Sequence, residues 1–168
     1  REGISRRHSP FDEQTLTHMP DIIAYNIHLT QYDEKGIVKH DLQSMKMTHQ
    51  PANDRYLFTT PTIKIISDDS KKPWHITSKI AISNEGGELI ELINAVHLHQ
   101  QTETNKYNDI VTERLYYKPK IRLAYTDQPV ELTQPGSSIK AIGMQAELDN
   151  KHVKLLSRAK GAFNHANA

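Results

Sequence analysis

His97 and His99 are the first residues in this sequence whose spacing suggests chemistry. On a β-strand, residues i and i+2 point to the same face, so the two imidazoles would project together as a pair of metal ligands does. No third ligand stands at a known motif spacing, and the sequence has no HExxH segment. Because the pair alternates with apolar Val96 and Leu98, we interpret it as solvent-facing and predict no metal site and no cofactor.

The motifs of covalent catalysis and nucleotide binding are missing from the sequence. It contains no G-x-S-x-G elbow, no Walker motif and no G-x-G-x-x-G loop. It also contains no cysteine, which excludes thiolate nucleophiles, disulfides and zinc–thiolate sites. The carboxylates are spread along polar faces without a recognisable pairing. We therefore predict no catalytic residues and a protein that is not an enzyme.

The composition indicates one domain with a thin or layered core. The chain has 168 residues, of which 36% are hydrophobic. Its 21 Lys and Arg residues nearly balance its 20 Asp and Glu residues, so a nucleic-acid binder with a broad basic face is disfavoured. No apolar run approaches the ~20 residues that a membrane-spanning helix needs.

Alternation of apolar and polar residues is the strongest structural signal. Trp74, Ile76, Ile80 and Ile82 fall on one side of a predicted strand, and the alternation resumes after a turn at 84–87. Similar short segments recur along the chain, separated by turn-forming residues, and no long 3.6-residue period is present. The pattern predicts an all-β antiparallel meander of two facing sheets. A closed barrel is the other arrangement, which seven glycines make less favourable.

The predicted domain covers residues 20–163, between a flexible leader at 1–19 and a tail at 164–168. In its first strand, Ile23, Tyr25, Ile27 and Leu29 are expected on one face. Turns are expected at Gly36 and Gly136, where glycine supplies a positive φ.

The apolar side chains predicted to line the inner faces of the two sheets form one set. It consists of Tyr25, Phe58, Ile65, Trp74, Ile76, Ile80, Ile82, Leu92, Val96, Leu98, Leu123, Ile142, Met144 and Leu148. Two interpretations of this set stay open. It is either the core of a closed sandwich, or the lining of an incompletely closed one that holds acyl chains, each buried CH₂ contributing about 0.8 kcal/mol.

An ordered series of short motifs resembles the LptC family, the periplasmic component of the lipopolysaccharide export machine. The motifs are Pro20-Asp21, Tyr25-Asn26, Tyr32–Gly36, Phe58–Pro61, Pro73–Ile76, Ala124–Val130, Gly143–Leu148 and Leu155–Gly161. The sequence departs from the family at Asn94, where glycine is usual, and at Ala159, where a larger β-branched residue is common.

The resemblance implies an open β-jellyroll, with two facing sheets in a V-shaped or boat-like section. Lipid A acyl chains of lipopolysaccharide would lie on the inner face. Phe58 would lie inside the groove, and Gly36 and Gly136 would occupy turns that are important for function in the family. It also implies a transmembrane anchor before Arg1, in the inner membrane of a Gram-negative bacterium, with the domain in the periplasm.

The implied partners meet the domain at its sheet edges. The N-terminal edge, near 25–29, would face the LptF–LptG permease with its LptB ATPase. The C-terminal edge, through Val153, Leu155, Ser157 and Gly161, would face LptA, to which lipopolysaccharide passes. The same edges could pair two copies of the domain. Two alternatives remain: a closed β-sandwich interaction or adhesion module, and the soluble relay LptA itself.

Overall fold

Eleven strands form nearly all of the regular structure. The computed structural model describes residues 19–67, 72–150 and 152–163, with side chains omitted at 85 and 158–163. The strands are β1 (Ile22–Tyr32), β2 (Val38–Gln50), β3 (Arg55–Thr59), β4 (Thr62–Ile65), β5 (Trp74–Thr77), β6 (Ile80–Asn84), β7 (Leu89–Glu103), β8 (Lys106–Lys118), β9 (Leu123–Gln134), β10 (Ser137–Glu147) and β11 (His152–Phe163). One 3₁₀ turn, Glu85–Gly87, joins β6 to β7. Within the described residues, no helix has the length and apolarity needed to cross a membrane.

The strands form a single antiparallel sheet that follows the chain order. β3 and β4 both pair with β2, at 46–50 and 40–43 respectively, so together they act as one interrupted strand. β5 and β6 likewise pair with the two ends of β7. From β7 to β11 each strand pairs with the next. The prediction of an all-β antiparallel meander is confirmed, but its two facing layers are halves of one sheet.

A line of interruptions, which we call the crease, crosses the sheet at one level. It runs through Asn26 in β1, Ser44 in β2, Thr60–Pro61 between β3 and β4, Ser78–Lys79 between β5 and β6, Asn94–Ala95 in β7, residues 113–115 in β8, residues 127–128 in β9 and Gly143 in β10. Backbone φ is positive at Asn26, Thr60, Asn94, Ala95 and Gly143. In β7, β8, β9 and β10 the interruptions also shift the register, as β-bulges do. Irregularities of this kind bend strands sharply, so their alignment folds the sheet across the crease.

Buried hydroxyl groups satisfy the backbone where the crease breaks the hydrogen-bond ladder. Ser44 Oγ lies 2.7 Å from the carbonyl oxygen of Thr59 and 2.9 Å from that of Lys46, so its single proton is shared between these two acceptors. Ser78 Oγ donates to the carbonyl of Ile80, and Thr112 Oγ1 to that of Pro129, both at 2.9 Å. A buried carbonyl left unpaired costs roughly 1–3 kcal/mol, so these hydroxyls stabilise the bend.

The fold across the crease brings together two layers, named here after the short strands that each contains. In the β4–β5 layer, His40 is the residue of β2 farthest from the crease that pairs with β4. In the β3–β6 layer, Tyr117 is the residue of β8 farthest from the crease that pairs with β7. His40 Nε2 and the Tyr117 hydroxyl are 2.7 Å apart. The Arg122 guanidinium also donates to the carbonyl of Ile66. These two seam contacts join the layers on the side opposite the crease.

The neutral form of His40 fits its two hydrogen bonds. Its Nδ1–H donates to Gln31 Oε1 at 2.6 Å, which leaves Nε2 to accept the proton of the Tyr117 hydroxyl. Burial, with a smaller contribution from the Arg122 charge, lowers the pKa of His40 to about 4. Burial also raises the pKa of Tyr117. Both groups are therefore uncharged at neutral pH.

The predicted domain limits stay a prediction, because most of the leader and all of the tail lie outside the described residues. Within the domain, the two predicted turns adopt the expected backbone: φ is +81° at Gly36 and +83° at Gly136. In the first turn, Asp33 Oδ1 accepts hydrogen bonds from the backbone N–H groups of Lys35 and Ile37. Asn94, the departure from the family glycine, adopts a φ of +69° and keeps the bulge.

We predict that Gly143→Ala destabilises the domain more than Gly136→Ala does. Both glycines have positive φ, but a Cβ at Gly143 would lie 3.2 Å from Leu156 Cδ1. At Gly136, no atom of the described residues other than its chain neighbours would lie within 4 Å of the Cβ. We expect Gly136→Ala to lower the free energy of unfolding by about 1–2 kcal/mol, the cost of left-handed backbone. Gly143→Ala should lose about 2–4 kcal/mol, because overpacking adds to that cost. Urea denaturation measures both, and equal losses would contradict a close-packed crease.

We predict that His40 makes the domain less stable in acid. Its folded pKa lies below that of the unfolded chain, so the unfolded state binds the proton more tightly. The stabilising contribution is complete above about pH 6.5 and is lost as the pH falls toward 4. Between these values the wild type should lose about 3 kcal/mol more than His40→Gln. Denaturation at a series of pH values measures this difference. An unchanged slope in His40→Gln would refute the assignment.

Candidate lipid-binding site

Nine of the residues assigned to the inner face from the sequence are buried between the layers. They are Phe58, Ile65, Trp74, Ile76, Leu92, Val96, Leu98, Met144 and Leu148. Cross-strand pairing places them in rows that run across the sheet. Ile63, Ile76, Leu98 and Ile110 form one such row in the β4–β5 layer. The inner face is therefore continuous and apolar.

Five of the assigned residues do not lie on the inner face, and these assignments were wrong. Tyr25 is 65% exposed and Ile142 is 42% exposed. Ile80, Ile82 and Leu123 are half-buried on the outer face, in rows shared with polar partners. Tyr25, for example, pairs with Lys46, whose ammonium lies 5.8 Å from the centre of the Tyr25 ring.

The corrections have one physical cause, a reversal of the side-chain alternation. An irregular residue at the crease turns every later side chain of its strand to the opposite face. In β1 the reversal falls at Asn26, so Ile22 and Ala24, rather than Tyr25, share the inner face with Ile27 and Leu29. Ser78–Lys79 and Gly143 have the same effect on Ile80 and Ile142. The turn that ends at Arg122, with a φ of +55°, places Ala124 inside instead of Leu123.

Near the N-terminal edge the apolar inner face is left uncovered. We call this surface the β1–β2 strip; it consists of Ile22, Ala24, Ile27, Leu29, Leu42 and Met47. Leu29 is 47% exposed and its partner Leu42 is half-buried, whereas Ile63 and Ile76, next in the same row, are buried. Burial along the row thus decreases steadily toward β1. The strip therefore presents apolar side chains of the inner face to solvent.

Sequence reasoning missed Ile22, Ala24, Leu42 and Met47 as members of this surface. The signal that could have found them is the polar Asn26 inside an otherwise apolar alternation. Asparagine tolerates left-handed backbone, so it is a plausible place for a bulge. Nothing in the local sequence says on which side of that bulge the inner face continues.

The two ends of the sheet offer unpaired backbone. Among the described residues, β1 pairs with β2 alone and β11 with β10 alone. On β11, Val153 and Leu155 pack against the core, and Ser157 is exposed. Of Gly161 only the backbone is described, paired with Ile139. An open edge of this kind can accept a strand from another chain.

Three surface clefts follow the crease rather than the space between the layers. A cleft of ≈ 570 Å³ includes Val111, Pro129 and Ile142, and another of ≈ 220 Å³ lies beside the stacked rings of Tyr116 and Tyr125. A third, of ≈ 380 Å³, is lined mainly by polar residues around Asn26. None of the three reaches the exposed end of the strip at Leu29.

His97 and His99 lie on the outer face, as expected, but they have a third neighbour. Asp109 on β8 is the register partner of His99 and lies within hydrogen-bond distance of both histidines. The hairpin turn at 104–105 could have pointed to this residue, because it brings the start of β8 back beside the end of β7.

Comparisons with known proteins agree with the fold. The crystal structure of LptH, the LptA-homologous periplasmic component of the lipopolysaccharide transport device from Pseudomonas aeruginosa, superposes with a TM-score of 0.55. The match covers 71% of this chain and 82% of that one at 10% sequence identity, so it shows a shared fold. No curated protein matches the chain.

The family comparison covers almost the entire sequence. The model of the family described as "Lipopolysaccharide-assembly, LptC-related" matches residues 4–164. The chain therefore belongs to the LptC-related family and is a non-catalytic periplasmic β-jellyroll component of lipopolysaccharide transport.

Proposed function

We propose that this chain holds the acyl chains of lipopolysaccharide on its inner face and passes the lipid from the LptB–LptF–LptG transporter to LptA. The observation that carries the proposal is the exposed apolar strip at β1–β2. Four of its residues, Ile22, Ile27, Leu29 and Leu42, are large aliphatics on the same face as the core. Covering such a surface with hydrocarbon is favourable by about 25 cal/mol per Å² of apolar area removed from water.

The strip is the proposed entry point, and the deeper inner face is the proposed path. The strip is continuous with buried residues such as Phe58 and Leu92 through the row that contains Met47. In the structure described here these deeper side chains pack against each other, and the seam contacts hold the layers together. Acyl chains that move inward would replace protein–protein contacts with protein–lipid contacts, so the two seam contacts would have to separate.

The direction of transfer follows from which partner meets each edge. We assign the β1 edge, next to the strip, to the LptF–LptG side, where an anchor preceding the domain would also lie. We assign the β11 edge to LptA, joined by strand addition. Pairing of two copies through the same edges is the corresponding proposal for the isolated domain. Exposed backbone on β1 and β11 supports each of these assignments.

The seam contacts also favour a second candidate, a closed β-sandwich that binds a partner protein through its surface. In that case His40–Tyr117 and Arg122–Ile66 would be permanent parts of a dry core. The two candidates differ in what they predict for Leu29: in the first it contacts lipid, in the second it does not.

We predict that a photo-crosslinking residue at Leu29 captures lipopolysaccharide and that the same residue at Tyr25 does not. Both positions lie on β1, and Tyr25 is the more exposed of the two, at 65% against 47%. The expected yield is therefore several-fold higher at Leu29, because its side chain is on the inner face. Immunoblotting for lipopolysaccharide after irradiation measures the yield.

Two outcomes would contradict this assignment. Equal capture at Leu29 and Tyr25 would show that lipopolysaccharide binds without preference for the inner face. No capture at Leu29 would favour the closed sandwich. Circular dichroism of each variant serves as the folding control. A third variant at Leu98, fully buried in the same row, reports whether acyl chains pass the seam.

The edge assignments predict that exposed outer side chains on β1 and β11 crosslink to different partners. A photo-crosslinking residue at Leu156 on β11 should capture LptA, and one at Ile23 on β1 should capture LptF or LptG. The positions are 48% and 51% exposed, so accessibility does not distinguish them. Mass spectrometry of the crosslinked bands identifies the partners. The reverse pattern would refute the proposed orientation and leave the lipid site untouched.

A further inference from the structure

A cluster of three metal-type ligands lies on the outer face of the β4–β5 layer. His97 and His99 project from β7, and Asp109 lies beside them on β8. Their ligand atoms all lie within 4.8 Å of one another. We propose that these three residues form a binding site for a divalent transition-metal ion of the zinc type. This site is separate from the inner face and does not depend on the proposed function.

The geometry brings the three donors to one point. Asp109 Oδ1 lies 2.9 Å from His97 Nε2 and 2.5 Å from His99 Nδ1, so one carboxylate oxygen accepts hydrogen bonds from both rings. Ligand atoms around a tetrahedral zinc ion lie about 3.3 Å apart, as bonds of roughly 2.0–2.1 Å require. The Asp109 carboxylate must therefore move slightly away from both imidazoles to make room for the ion.

The protonation change needed for binding is simple. A carboxylate only accepts hydrogen bonds, so in these contacts the facing nitrogen of each imidazole is the one that carries a proton. When the ion binds, that proton is transferred through solvent to the far nitrogen, Nδ1 of His97 and Nε2 of His99. The facing nitrogens then offer lone pairs to the metal. Two imidazoles and one carboxylate form a common zinc ligand set, with a further position for water or another side chain.

Neighbouring residues support the cluster. The Tyr107 ring stacks on His99 with centroids 6.2 Å apart and planes 22° apart, which restricts the orientation of that imidazole. His75 on β5 is the register partner of His99 on its other side, so it is the nearest candidate for a fourth ligand. All three proposed ligands are partly exposed, so an ion can reach them from solvent.

His49 also contacts two carboxylates, but its donors do not converge on one point as those of the proposed site do. His49 Nδ1 lies 2.7 Å from Asp21, and His49 Nε2 lies 2.8 Å from Asp54. The two nitrogens are on opposite sides of the ring, so its carboxylates cannot meet at one ion. In the part of the chain that the structure describes, the donors converge at His97, His99 and Asp109 alone. His49 is therefore a matched control.

Zinc titration of the full 168-residue chain, without an added histidine tag, tests the proposal. Isothermal titration calorimetry at pH 7.5 should show one equivalent of zinc bound with a dissociation constant below about 100 μM. Affinity should fall at least tenfold in His97→Ala and in Asp109→Asn, because loss of one of three ligands leaves a chelate of two. His49→Ala should bind as the wild type does. Thiolate competition is absent, since the chain has no cysteine.

A measurement on the wild type removes any dependence on how the variants fold. In long-range ¹H–¹⁵N spectra of the imidazoles, zinc should shift the His97 and His99 nitrogens at one equivalent and leave those of His49 and His28 unchanged. Wild-type binding that is weaker than about 100 μM would overturn the proposal. So would equal affinity in folded His97→Ala or Asp109→Asn, or first shifts at other histidines.

Discussion

The structure depends on the crease, where the strands from β1 to β10 break their pairing or end at the same level. Neighbouring strands in a sheet stay paired on both sides of a bend only if all of them bend at the same place. Here the interruptions use different residues in each strand but align through the cross-strand pairing. Buried hydroxyls at Ser44, Ser78 and Thr112 replace the ladder hydrogen bonds that are lost. One continuous sheet can then enclose its own apolar face without free edges in the middle.

This constraint also determines where the apolar face is accessible. The central rows are covered by the opposite layer, and the seam contacts of His40 and Arg122 join the layers at their far ends. The sheet continues beyond that covered region to β1, where inner-facing aliphatic side chains meet solvent. A lipid carrier needs hydrocarbon contact that can be made and released, and a partly covered strip at a sheet edge meets this requirement. The open backbone of β1 lies directly beside it.

The fold class and the family could be predicted from the sequence, but not all of the side-chain directions. Alternation around Leu92 and Leu98 was correct because β7 takes two residues, Asn94 and Ala95, to cross the crease, and the parity is restored. In β1 and in β5–β6 the side chains change face at Asn26 and at Ser78–Lys79. These residues indicate a break in a strand less strongly than Gly or Pro would. The position of the crease is set by pairing between strands distant in sequence.

The same limit applies to the outer-face histidines. The spacing of His97 and His99 is local and was visible, whereas Asp109 reaches them through the register of a hairpin with its own irregularity. By contrast, the family resemblance was visible because it rests on the order of many short motifs. Local pattern thus predicts strands and turns, and non-local pairing decides which side chains share a surface.

Two methionines on β2 allow the most direct test of the central claim, that acyl chains meet the inner face at the β1–β2 strip. Met47 is half-buried on the inner face, and Met45, two residues away, is 60% exposed on the outer side of the crease. In methyl NMR spectra with lipopolysaccharide micelles that carry a nitroxide-labelled acyl chain, the account predicts stronger broadening of the Met47 methyl than of the Met45 methyl. Equal broadening, or stronger broadening of the more exposed Met45, would contradict it.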